Sequence, residues 1–346
     1  MTPPRFELVS DNTTGIAPQI LKGLASHASG RALPYGDDTV CTAASEAFDK
    51  AFEREVQVRF VTTGTAANAL ALACLCPPFG AIATHRYGHV YRHECGAVEA
   101  CNPGCRLLPI GDDPFSNHAK ITPKDISPWL AESRQGGVHV CELTAVTLSQ
   151  PTEAGTLYTL EEIRALTDWA HSEGLKVHMD GARLANAAVA LDDTLAEMTW
   201  RAGVDILSFG GTKNGCMAAE SVVIFNDDLD ARLRRHMKRF GHVLSKGRFL
   251  GAQWLAYLAD ETWRTLARQA NEKAQELAQG LQDFSLAVPV QSNMLFVEIP
   301  PKNAAHMIDQ GYLLAERFRD NTYRLVTGFD TTDEMIQDFI RDIKGA

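Results

Sequence analysis

Three short apolar runs at residues 175–179, 204–209 and 221–225 constrain the fold most, because each is too brief for a stable helix and each stops at polar or glycine-rich residues. Runs of this kind belong in the middle of a mainly parallel sheet covered on both faces. The intervening sequence supports that reading. Residues 57–61 alternate polar and apolar like a strand, Thr62-Thr63-Gly64-Thr65 turns, and the Ala- and Leu-rich run 66–76 follows as a helix. Residues 105–110 predict a strand, 123–134 a helix and 138–143 a further strand. Thr159-Leu160-Glu161-Glu162 forms a capping box, with Leu160, Ile163, Leu166 and Trp169 on one helical face and Gly174 closing the helix. Strand and helix alternate, which defines an α/β chain.

The texture changes after about residue 245. A helical stretch over 250–282, strand-like runs at 286–290 and 294–299, a helix, another strand at 323–327 and a last helix predict a smaller C-terminal α+β unit. The expected division is therefore a large domain over residues 1–245 and a small one over 246–346, in keeping with a length of 346 residues. A net charge of −10 argues against nucleic acid as the main partner, and no run approaches the roughly 18 apolar residues of a membrane span. The first residues, Met1-Thr2-Pro3-Pro4-Arg5-Phe6-Glu7, have neither the apolar core of a signal peptide nor a basic amphipathic pattern, so cytoplasmic residence is the expectation. Eight irregularly spaced cysteines read as reduced thiols, and they lack the paired spacing of a zinc site.

The polar motifs fall at the carboxyl ends of the predicted strands, where open α/β sheets bind ligands. Lys213 lies in Ser208-Phe209-Gly210-Gly211-Thr212-Lys213-Asn214-Gly215, among small residues that leave room for a flat ring. Such a lysine can form a Schiff base with pyridoxal phosphate, and Asp180, in His178-Met179-Asp180-Gly181-Ala182-Arg183, can keep the ring nitrogen protonated. By itself Asp180 reads better as a cap for the segment that begins at Gly181, and its spacing to Arg183 favours the site. Thr63-Gly64-Thr65 opens a helix whose free N–H groups suit one phosphate, while the longer fingerprints of dinucleotide and triphosphate loops are missing. His85, His89 and His93 recur every four residues; they could line up on a helix to bind metal, or His89 could stack on a cofactor ring. Arg324, in an apolar strand, needs an anion, either a substrate carboxylate or a structural partner.

Taken together, these residues resemble the threonine aldolase family of pyridoxal phosphate enzymes with the aspartate aminotransferase-like fold. The likeness runs from Ser10-Asp11-Asn12 and Tyr35-Gly36-Asp37-Asp38 through Thr63 to Asn68, His89, Asp180 to Arg183 and Lys213, and ends at Ser292-Asn293-Met294 and Arg324 to Thr327. It implies a mainly parallel seven-stranded sheet, a small α+β domain, and cleavage of a β-hydroxy-α-amino acid to glycine and an aldehyde. In the implied site Lys213 holds the cofactor with Thr212 beside it, Asp180 pairs with the pyridinium, Gly64 and Thr65 take the phosphate, and His89 stacks on the ring. Ser10, Tyr35, Arg183 and Arg324 engage the substrate. A homodimer or homotetramer with shared sites is implied, with Lys238 or Lys246 reaching a neighbour's phosphate. Where many members carry a second histidine this chain has Glu153, so the proton acceptor is His89 directly or Glu153 through a water. A different pyridoxal phosphate reaction, such as β-elimination, racemisation or transamination, is the alternative, and a non-catalytic binder a more distant one.

Overall fold

The computed structural model describes residues 4–345. Its frame is a seven-stranded sheet in the order β1-β7-β6-β5-β4-β2-β3. The strands are β1 (Gln57–Val61), β2 (Gly80–His85), β3 (Arg106–Ile110), β4 (Glu142–Ser149), β5 (Lys176–Gly181), β6 (Ile206–Gly210) and β7 (Glu220–Ile224). The neighbours from β6 across to β3 are parallel, and β7 runs antiparallel to both β6 and β1. Six strands therefore share one carboxyl edge.

Alternation along each strand builds two cores. Val177 and Met179 of β5 and Leu207 and Phe209 of β6 face the helices Thr39–Ala51, Leu160–Ser172 and Arg248–Leu258. Ile206, Val222 and Ile224 face the opposite side, against the helix Gly64–Leu75 and the helix Asp230–Arg239. Asp180 lies one residue beyond Met179 and so projects toward Gly64–Leu75. That helix is buried almost throughout, because it is wedged between the sheet and further helices, and the polar Asn68 within it must find protein partners.

A second sheet, in the order β8-β10-β9, is fully antiparallel: β8 (Met294–Glu298), β9 (Ala315–Glu316) and β10 (Thr322–Val326). Leu295, Val297 and Leu325 pack on the helices Thr262–Gly280 and Asp333–Lys344. Met294, Phe296 and Val326 turn the other way, toward Phe115 and Ala154 in the loops of the large sheet. Arg324 shares the parity of Val326 and is thereby aimed at the larger sheet.

Four sequence expectations are corrected. Strand β2 was not anticipated, since its small residues Gly80, Ala81 and Ala83 follow two prolines and show no alternation. The strand expected at 138–143 is displaced to Glu142–Ser149; Val138 is 98% exposed, and its apolar spacing belongs to a turn after the helix Pro123–Gly136. The helical stretch over 250–282 is two helices, broken where Asp260 and Glu261 take left-handed backbone angles. The run at 286–290 forms only one isolated bridge, from Leu286 to Val297.

Trp254 ties the helix Arg248–Leu258 to the sheet, with ring centroids 4.9 Å from Phe48 and 5.3 Å from Phe209. Its indole Nε1 has no hydrogen-bond partner among the described residues, so packing holds it. Trp254→Ala is expected to cost about 3–5 kcal/mol in urea unfolding followed by circular dichroism, and Trp254→Phe clearly less. Equal losses in the two variants would contradict a packing role.

Candidate active site

A cavity of roughly 220 Å³ opens at the shared carboxyl edge. Lys213, Asp180, Arg183 and Gly64 reach it from strand ends, Glu153 from the loop after β4, His89 and His93 from the short turn after β2, and Ser10 from the N-terminal segment. Arg317, Phe318 and Arg324 close it from the second sheet.

Lys213 sits in a single turn that follows β6. Asn214 Nδ2 fixes this turn by donating to Tyr257 Oη at 2.8 Å and to the Trp263 carbonyl at 2.9 Å. Gly215 ends it at φ 102°, a left-handed angle that favours glycine. Gly210 serves the protein's own packing: a Cβ there would stand 2.8 Å from both the Ala182 carbonyl and Glu220 Oε2. The small residues before Lys213 are thus required by the crossing of β5, β6 and β7, where the sequence suggested clearance for a ring. The hydroxyl of Thr212 accepts from Ala219 N at 3.1 Å, and Thr212 stands beside the cavity without lining it.

Asp180 is buried. Its Oδ1 accepts from Ala182 N at 3.1 Å and its Oδ2 from Asn68 Nδ2 at 3.0 Å. Burial would raise this carboxyl, but the charges of His89 and Lys213 outweigh it and hold it below the ordinary value. Beneath it His178 bridges Thr147 and Ser208 at 2.7 and 2.9 Å, and burial lowers that ring to about 4, so it stays neutral. Gly64 lines the cavity at the start of its helix, while the side chain of Thr65 lies just outside. Thr63 Oγ1 caps Ala66 N, and the N–H groups of Gly64 and Thr65 have no protein acceptor among the described residues.

His89 donates or accepts through Nδ1 to Glu94 Oε1 at 2.8 Å. Burial opposes its charged form, yet the bond to Glu94 and the charges of Asp180 and Glu153 raise it above an ordinary histidine. His85 ends strand β2, whereas His89 and His93 belong to the next turn, so the three do not share a helix. Burial and the charge of Arg86 lower His85 to about 4. Among the described residues no cluster of His, Cys, Asp and Glu is arranged around a metal position.

Arg183 is held bidentately by Asp11 at 2.6 and 2.8 Å. Asp11 also accepts from Asn293 Nδ2 at 3.1 Å. Among the described residues Arg324 makes one long contact, with the Val9 carbonyl, and its Nε is buried without a partner; burial with the neighbouring arginines lowers it to about 10. Tyr35 and Lys238 are not in this cavity. They lie side by side, Lys238 Nζ 5.1 Å from the Tyr35 ring, on a larger opening of roughly 710 Å³ that also includes Arg59, Arg234 and Arg235. Lys246 is exposed and lines neither. Within one chain, then, Tyr35 does not reach the cavity, and Lys238 and Lys246, expected to reach a neighbour's phosphate, also stand outside it. Asp11, Asn68 and Glu94 received no role from the sequence; the signal available was a lone polar or acidic residue in otherwise buried surroundings, which demands a partner.

The fold and the cavity define a class: α/β chains with a lysine and a buried carboxylate at adjacent strand ends. The chain belongs to the beta-eliminating lyase family, whose model matches residues 7–300, and within it to the low-specificity threonine aldolases. A low specificity L-threonine aldolase of Pseudomonas aeruginosa is 36% identical over 347 residues, with 99% of each chain covered. The structure of a Leishmania major threonine aldolase superposes with a TM-score of 0.89 at 29% identity, covering 97% of this chain and 98% of that one. A methionine aminotransferase from Escherichia coli shares the fold, with a TM-score of 0.73 at 13% identity over 98% and 93% of the two chains.

Asp11 carries a test. Burial raises its carboxyl, but the pairing with Arg183 outweighs this and lowers it below 3.8. The stabilisation is therefore complete above the ordinary carboxyl value and lost as pH falls through the lowered one. Asp11→Asn is expected to cost about 3–5 kcal/mol at neutral pH, with the difference from wild type shrinking in acid. Urea unfolding across about pH 2–7 measures both, and a pH-independent difference would contradict the pairing.

Proposed function

We propose that the protein is a pyridoxal phosphate-dependent lyase that cleaves L-threonine, L-allo-threonine and related β-hydroxy-α-amino acids to glycine and an aldehyde. The observation that carries this reading is the meeting of Lys213, buried Asp180 and the unsatisfied Arg324 on one cavity, in a chain whose relatives bear the name of that reaction.

The donor set suits the cofactor. Lys213 Nζ would hold it covalently, the Asp180 carboxylate would pair with its ring nitrogen, and the free N–H groups of Gly64 and Thr65 would take its phosphate. The imidazole of His89 would lie on its face. When bound, pyridoxal phosphate supplies a sink for the electron pair released from the Cα–Cβ bond.

The protein's own groups do the rest. Arg324, with Nε free, anchors the substrate carboxylate, assisted by the outer nitrogen of Arg183 and the Ser10 hydroxyl. A carboxylate fixed from that side presents the β-hydroxyl to the wall formed by His89 and Glu153. His89 Nε2, or Glu153 through a water, takes the hydroxyl proton. Asp180, kept ionised, favours the protonated ring that accepts the electrons.

The separate position of Tyr35 and Lys238 on a basic opening supports a homodimer or homotetramer in which they complete a neighbour's site. No described helix is long and apolar enough to cross a membrane, and a cytoplasmic location accords with the composition. The family description also favours a second reading, β-elimination, which releases a keto acid and ammonia in place of glycine and aldehyde.

Purified protein with added pyridoxal phosphate is expected to release glycine and acetaldehyde in equal amounts from L-threonine, and Lys213→Ala to release neither. Keto acid and ammonia in their place would establish elimination. Asp180→Asn should lower kcat by about 10²–10³ through lost charge complementarity; an unchanged rate would remove the carboxylate from the mechanism.

A further inference from the structure

Behind the cavity wall lies a polar chain that the reaction as described leaves unused. Glu94 is fully buried, and its Oε1 meets His89 Nδ1 at 2.8 Å and Asn68 Nδ2 at 2.8 Å. The same Asn68 nitrogen reaches Asp180 Oδ2 at 3.0 Å. We infer that Glu94 is a positioning residue: it holds His89 with the proton on Nδ1, leaves Nε2 as the basic atom facing the cavity, and through Asn68 couples that ring to Asp180.

The assignment follows from counting hydrogens. An amide nitrogen has two, and Asn68 spends one on each carboxylate. Turning the amide over would set its carbonyl oxygen against two carboxylates, so the nitrogen must face them. Glu94 Oε1 is then an acceptor already, and the proton shared with His89 resides on the imidazole. Nε2, on the far edge of a ring that lines the cavity, has no protein partner among the described residues. Burial, with the charge of Asp180, sets the Glu94 carboxyl above its ordinary value, and the bonds that His89 and Asn68 make to Oε1 hold that rise back. The other groups that act on His89 are the anions Asp180 and Glu153, and His93, whose ring centroid is 5.7 Å away. His85, on the strand that packs under this turn, is neutral.

The pairing differs from a salt bridge that merely stabilises the loop, because it fixes which nitrogen can accept a proton. It rests on the reading of His89 as the proton acceptor, so its test has one arm free of turnover. Nitrogen-15 NMR of histidine-labelled apoprotein, with His89→Asn to identify the resonances, reads the tautomer and the titration directly. Wild type is expected to carry the neutral proton on Nδ1. Glu94→Gln, which keeps the shape and removes the charge, should lower the His89 titration midpoint by about 1–3 pH units, with Glu94→Asp in between.

In the holoenzyme the acidic limb of kcat/KM for threonine should move to lower pH in Glu94→Gln, with a reduced plateau. A wild-type proton on Nε2, or a midpoint that Glu94→Gln leaves unchanged, would overturn the inference. If the NMR result holds and wild type releases no glycine and aldehyde, the pairing stands and the aldolase reading falls.

Discussion

Asp11 is where separate parts of the chain become one site. Its carboxylate takes two bonds from Arg183 at the end of β5 and one from Asn293 just before β8. Asn293 also donates to the Thr327 carbonyl beyond β10, so one buried charge joins the N-terminal segment, the large sheet and the small one. Burying a carboxylate is costly unless it is fully paired, and here every neighbour that pairs it comes from a different element. The cost enforces the assembly: the segments cannot separate without leaving both Asp11 and Arg183 uncompensated. Arg324 is held beside this knot with Nε unsatisfied, a condition that pairing with an anion in the cavity relieves.

The electrostatics of the site follow from parity and depth. Asp180 and His178 point to one face of β5 and Met179 to the other, so one strand supplies a charged group to the cavity and an apolar one to the core. His178 stays neutral between two hydroxyls, and the positive charges nearest Asp180 come from His89 and Lys213. Glu220 is the counterexample. Buried beside Thr212 and Gly210, it is pushed up to about 7 by loss of water, with Thr212 and Lys213 offsetting only part of that effect. Two carboxylates on the same edge are thus held in different states by their surroundings.

Much of this was legible in the sequence where a residue's role is local. The buried runs 204–209 and 221–225 became strands nearly as read, the Thr159–Glu162 capping box closed with both bonds present, and Lys213, Asp180, Gly64, His89, Glu153 and Arg324 all came to one cavity. What was hidden depended on distant partners. Nothing near Asn68 in the chain announces Glu94 or Asp180, and nothing near Asp11 announces Asn293. Strand β2 was missed because packing, not pattern, makes Gly80–His85 extended: its small residues fit between β3 and β4. Tyr35 was read into the site and Lys238 toward a neighbour's phosphate from resemblance, and the routing of the chain sets both on another opening.

The cavity is built from two kinds of support. Lys213, Asp180 and Gly64 stand at the ends of strands or the start of a helix and are clamped by neighbours, whereas Glu153, His93, Arg317 and Phe318 stand on loops. Glycine at position 210 has no alternative, for its space is filled by Ala182 and Glu220, while of the loop residues Phe318 stacks on Phe296 of β8, with ring centroids 5.6 Å apart, and Glu153, His93 and Arg317 line the cavity. Inheritance acts on the two sets unequally. A substitution at a clamped position disturbs the sheet around it, whereas one at Glu153, His93 or Arg317 changes the cavity wall and leaves the strands in place. A fold arranged in this way can exchange one amino-acid side chain for another over generations without first relearning how to fold.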